Sequence, residues 1–208
     1  MDTHPINSLT DLFKKFPGIG PRQAKRFVYH LLGAEQIYLD QLAEKIARIK
    51  KEIKQCQHCG RYFGNGYRPD SLRCKLCADE SRDQSTLMIV EKDIDLEAVE
   101  RANSYRGYYF VLGGTVPILD PNPAEHLRFN ALLIELKRRQ ALGLKEVILA
   151  LSATAEGDHT ADWLVAQLSP LTTKMSFEIS FLGRGLSTGS ELEYADPDTI
   201  KNALASRH

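Results

Sequence analysis

Four cysteines, all that the chain contains, stand as Cys56-Gln-His-Cys59 and Cys74-Lys-Leu-Cys77, with fourteen residues between the two pairs. Two thiolates three positions apart can reach one ion from a single tight turn. Two such pairs complete a tetrahedral shell, the arrangement that zinc takes. Four sulfurs leave no position open for water, so the expected role is structural: one Zn ion organises a segment too short to bury a core of its own. His58 lies inside the first pair and offers a nitrogen, but the shell is full without it. Arg61, Arg68, Arg73, Lys75, Tyr62, Phe63 and Tyr67 surround the cysteines. Direct nucleic-acid binding by this knot is a weaker reading than scaffolding. The N-terminus carries neither a basic region nor an apolar leader, so a cytoplasmic, reducing compartment is expected, where thiolates hold metal rather than disulfides.

A second constellation is Phe16-Pro17-Gly18-Ile19-Gly20-Pro21 followed by Arg22, Lys25 and Arg26. Glycines let the backbone approach a phosphate, and the N–H groups of a turn and of a helix N-terminus point at it. Three basic residues in the next five add charge where such a phosphate would lie. Helix, Pro-Gly-Ile-Gly turn and helix form the pattern of a helix-hairpin-helix that grips DNA backbone, single- or double-stranded, without reading bases. A plain helical hairpin with solvated charges is the blander alternative. The third constellation is acidic: Glu91, Glu156 and Asp158 fall at the ends of apolar strands, where a few carboxylates could hold Mg²⁺. No tyrosine, histidine or serine is fixed beside them by a motif, so nuclease chemistry lacks a partner and Mg is not expected.

These residues need elements to hold them. Leu9, Leu12, Phe13 and Phe16 predict a helix over 7–16, and Ala24, Phe27, Val28, Leu31 and Leu32 predict one over 21–32. A third, over 35–54, carries Ile37, Leu39, Leu42, Ile46, Ile49 and Ile53, a face that either completes the hairpin's core or packs on another copy. Beyond Asp79 strands and helices alternate. Strands are predicted at 86–90, 108–112, 146–151 and 175–181, with helices at 94–102, 124–141 and 158–168. Near-continuous apolar strands joined by helices mean a mostly parallel sheet covered on both faces, with ligands at the strands' carboxyl ends. Formal charge is neutral overall, yet residues 1–77 hold 14 Lys and Arg against 7 Asp and Glu, and residues 78–208 hold 13 against 20. A basic half suited to DNA and an acidic α/β half are thus expected on either side of the knot. No apolar run approaches the roughly 18–20 residues of a membrane span.

The ordered set resembles the RecR family of bacterial recombination mediators over essentially the whole chain. It comprises Pro17-Gly-Ile-Gly-Pro21, the two cysteine pairs, Ile89-Val-Glu91, Leu112-Gly-Gly114, Thr154-Ala-Glu-Gly157 with Thr160-Ala161, and Leu192-Glu-Tyr-Ala-Asp196. The resemblance implies an α+β multidomain chain. Its parts are a helix-hairpin-helix and oligomerisation region at 1–55, a four-cysteine zinc finger at 56–79, a Toprim α/β domain at 80–182, and a C-terminal tail with a helix at 183–208. It implies a non-enzymatic protein that acts with RecO and RecF to load RecA on gapped DNA coated by single-strand binding protein. It further implies a nucleoid-associated homo-oligomer, a dimer or a tetrameric ring. DNA contact then falls on Arg22 and Arg26, with Lys25, Gly18 and Gly20 beside them, and RecO contact on Glu91, Glu156 and Asp158. The alternative is a Mg-dependent Toprim nuclease or primase-like enzyme. The chain departs from the family at Val116–Ala124 and at Ser187 and Ser190.

Overall fold

A computed structural model describes residues 4–64, 71–118, 122–183, 185–186, 189, 193, 195 and 197–205. Tyr67, Arg68, Asp120, Ser187, Ser190 and most of the 192–196 motif lie outside these. The chain divides into two compact units, Met1–Ile53 and Lys54–His208.

In the first unit, α1 (Pro5–Phe13) and α2 (Pro21–Leu32) form the hairpin. Ala24 and Val28 are its buried centre, and Phe13 meets Phe27 edge to face with centroids 5.8 Å apart. The first helix ends at Phe13, earlier than its periodicity suggests. Lys15 and Phe16 turn back onto the Leu12 and Phe13 carbonyls with three-residue spacing, which tightens the chain into the Pro17–Gly18 corner. Helix α3 (Gln36–Glu52) has no buried residue, and Ile37, Ile46 and Ile49 are exposed. Its apolar face therefore does not complete the hairpin's core. The helix stops at Glu52 because Ile53 takes extended geometry and opens β1 (Ile53–Gln55), which pairs with β2 (Tyr62–Gly64).

The second unit joins the cysteine segment to an α/β body. The second cysteine pair sits on a one-turn helix, α4 (Lys75–Ala78). Then follow β3 (Thr86–Val90), α5 (Asp93–Ala102), β4 (Tyr108–Val111), α6 (Pro123–His126), α7 (Phe129–Gln140), β5 (Glu146–Ala150), α8 (Ala155–Met175), β6 (Glu178–Phe181) and α9 (Pro197–Ala205). All pairings among β3–β6 are parallel, in the order β4-β3-β5-β6. Alternation along β3 sorts the core: Leu87 and Ile89 pack with Leu132, Leu136, Leu164 and Leu168, while Met88 and Val90 pack with Leu96 and the cysteines. The knot thus helps cover one face of the sheet.

Three predicted elements of this unit change their bounds. The helix expected over 124–141 is broken, because the Arg128 amide donates to the Leu112 carbonyl (2.9 Å) instead of continuing the helical ladder. The helix expected over 158–168 runs from Ala155 to Met175, straight through Pro170. Near the gap that proline makes in the ladder, Ser169 Oγ donates to the Val165 carbonyl and Thr172 Oγ1 to that of Ser169. Leu168 and Met175, both buried, keep the helix on the sheet, so β6 begins at Glu178 rather than 175.

Candidate metal centre and nucleic-acid hairpin

The four cysteine sulfurs lie within 4.8 Å of one another, and Cys59 Sγ is 3.6 Å from Cys74 Sγ. A tetrahedron with metal–sulfur bonds of about 2.3 Å has edges of about 3.8 Å, so the cage fits such an ion. Cys56, Cys59 and Cys74 are buried, Cys77 partly so, and no disulfide joins them. The Cys74 amide donates to Cys56 Sγ at 3.3 Å, a bond that suits a thiolate. Hydrogen bonds from the Cys59, Cys74 and Cys77 side chains lower Cys56, while Cys59 is pushed up by its bonds to Cys56, Cys74 and Cys77. Four sulfurs this close shed all their protons only with a cation among them. Among the described residues this is the one group of three or more His, Cys, Asp or Glu side chains placed to hold a metal.

The knot and its flanking hairpin are fastened to the α/β body along β4, α5 and α7. Val111 N donates to the Cys59 carbonyl at 2.7 Å, covering the edge of β4. Arg128 Nη1 donates to the carbonyls of Gly60 (2.9 Å) and Val111 (3.1 Å), bridging turn and strand. Tyr62 N donates to Asp93 Oδ1 at 2.7 Å. His58 is turned outward from the cage: its Nδ1 lies 3.2 Å from Glu135 Oε2, and a carboxylate only accepts, so Nδ1 carries the proton. Glu135, 3% exposed, also accepts from Arg138 Nε and Nη2 (2.9 and 2.6 Å) and Arg139 Nε (2.7 Å). Arg139 is fully buried with its guanidinium 3.8 Å from the Tyr108 ring centre. Burial lowers Arg139, whereas the hydrogen bonds that Arg138 donates to Glu135 raise Arg138. None of these α7 partners carries a motif. Glu135 followed by Arg138 and Arg139 reads as an ordinary ion-pair ladder on a helix surface, and only the 77-residue contact to His58 shows otherwise.

In the hairpin, Gly18 has φ +76°, a left-handed turn that a side chain would strain, and Gly20 is the N-cap of α2 with Pro21 first in the helix. Arg22, Lys25 and Arg26 are all exposed beside that turn. The leading N–H groups of a helix have no partner within it. Turn, helix end and three cations are thus adjacent.

The three acids separate in character. Glu91 is 4% exposed and its Oε1 accepts from Ser152 N at 2.6 Å, tying the end of β3 to the loop after β5. Glu156 and Asp158 are exposed on the first turn of α8, where Thr115 Oγ1 donates to Glu156 Oε2 at 3.3 Å. Among the described residues the three do not form a common set of metal-ligand atoms. No described helix is long and apolar enough to cross a membrane.

Comparison with known families matches a Toprim domain to residues 85–179, a RecR helix-hairpin-helix to residues 6–50, and a RecR C-terminal region to residues 185–208. A RecR-type hairpin, a Toprim domain and a RecR C-terminal region in that order place the chain among recombination proteins. The Recombination protein RecR of Bifidobacterium longum subsp. infantis is 39% identical over 203 residues, 97% of this chain and 94% of that one. Those of Mycobacterium leprae and Staphylococcus haemolyticus are each 35% identical, covering 98% of this chain and 96% of theirs. The chain belongs to the RecR family of recombination proteins.

Proposed function

We propose that the chain is a recombination mediator without catalytic turnover. It acts with RecO and RecF to promote RecA loading on gapped DNA coated by single-strand binding protein. The observation that carries this reading is the hairpin, in which the Gly18 turn, the α2 N-terminus and the exposed Arg22, Lys25 and Arg26 are arranged to hold phosphates without base contacts. The cage holds one structural zinc, a choice supported by its four thiolates and absence of an open position. Residues 1–55 bind DNA and oligomerise, 56–79 form the zinc finger, 80–182 the Toprim domain, and 183–208 an oligomer contact. The exposed α3 face suits a second copy, in a dimer or tetrameric ring on the nucleoid. Glu156 and Asp158 face RecO, with Glu91 as the buried member that sets their loop.

The test is DNA binding by the Arg22→Ala, Arg26→Ala double variant across a salt series, on single-stranded, duplex and gapped DNA. Two lost phosphate contacts reduce the slope of log affinity against log salt by roughly 1.4–1.8. Unchanged binding by the double variant overturns the hairpin assignment. Mg-dependent nicking or nucleotide incorporation that Glu91→Gln abolishes establishes the enzyme alternative instead.

A further inference from the structure

We propose that His58 and Glu135 form a latch that belongs to the metal centre. By seating the first cysteine pair against α7, it slows loss of the ion. This rests on the zinc reading above and goes beyond it, because it assigns metal retention to residues that are not ligands.

The imidazole lies between Cys56 and Cys59 in sequence, and with Nδ1–H directed at Glu135 the turn that presents both sulfurs is anchored from outside the cage. The anchor is itself rigid. Glu135 is buried in mid-helix and held by two bonds from Arg138 and one from Arg139, whose guanidinium lies against the Tyr108 ring. A buried ion pair is commonly no more stabilising than apolar residues of the same volume, so helix stability alone gives little reason for one here. A carboxylate preset to receive one imidazole proton gives a geometric reason. Arg128 closes the same turn from the other end, at Gly60. Partners that orient ligands from behind raise metal affinity because less ordering is left to the binding step.

The experiment measures zinc content of the full chain by elemental analysis, then zinc release to excess colorimetric chelator. The parent, His58→Ala, His58→Asn, Glu135→Gln and the His58→Ala, Glu135→Gln double variant are compared. The parent carries one zinc per chain and releases it slowly. His58→Ala and Glu135→Gln release it roughly 10–100-fold faster. The double variant is no faster than the quicker single one, because both remove one contact. His58→Asn, whose amide N–H occupies the Nδ1 position, restores slow release, which a purely space-filling histidine would not do. Glu135→Gln leaves Arg139 without its counter-charge; if that variant does not fold, the two His58 variants decide the matter alone. Release from His58→Ala at the parental rate, or from His58→Asn as fast as from His58→Ala, overturns the latch while leaving the zinc reading intact. A parent without zinc overturns both.

Discussion

Glu91 and Glu100 show how two carboxylates of one fold are put to different mechanical uses. Glu91 ends β3 nearly sealed from water and holds the Ser152 amide, so it shapes the loop that presents Glu156 and Asp158. Glu100 receives both ends of the Arg82 guanidinium (2.6 and 3.2 Å) and the Tyr109 hydroxyl (2.8 Å). Burial pushes Glu100 up, but the bonds from Arg82 and Tyr109 outweigh it and leave the carboxyl below its ordinary value of 4.5. A depressed carboxyl contributes stability that is present above that value and lost as the pH falls through its folded value. The melting temperature therefore drops as the solution is acidified below about pH 4.5, and Glu100→Gln shows a smaller drop, read by circular dichroism at a series of pH values. The cysteines and the Gly18 turn are legible in the sequence because a metal shell and a tight turn are encoded in local spacing. Glu135, Arg128 and Arg139 are not, since their partners are brought near only by the folded sheet.

Elements were legible where one periodicity ran uninterrupted. Helix α2 begins at the proline and ends before the glycine that the sequence marks, and β3 matches its apolar run. Helix α8 was not legible at either end. Its true start is set by Thr154 Oγ1, which accepts from Gly157 N at 3.1 Å, and its length by tertiary burial that overrides Pro170. The start is also a place of close approach. A Cβ on Gly157 would run into the carbonyl of Ser152, which cannot retreat while Glu91 grips its amide. Gly157→Ala is expected to cost about 1–3 kcal/mol through overpacking, measured by urea unfolding; a variant as stable as the parent would show that this turn yields freely.

The whole chain is two compact units, and the boundary at Ile53 assigns the knot to the α/β body, with which it shares one core cluster. Charge sorting along the sequence foreshadowed a division, yet nothing local revealed that the cysteines would cover the sheet, because that depends on which residues of β3 and β4 face them. Removing the metal should therefore be felt in the sheet. In Cys56→Ser protein, hydrogen exchange at Val111, whose amide is held by the Cys59 carbonyl, should accelerate, while central β5 stays protected. Equal protection at Val111 in parent and variant would mean that the knot docks without its ion. The same bond has a consequence for biosynthesis. All four cysteines precede β4 in the chain, so on a ribosome that delivers the N-terminal side first the knot can close before Tyr108–Val111 has been made. Strand β4 can then meet a closed knot, whose Cys59 carbonyl takes up the Val111 amide on that edge as it forms.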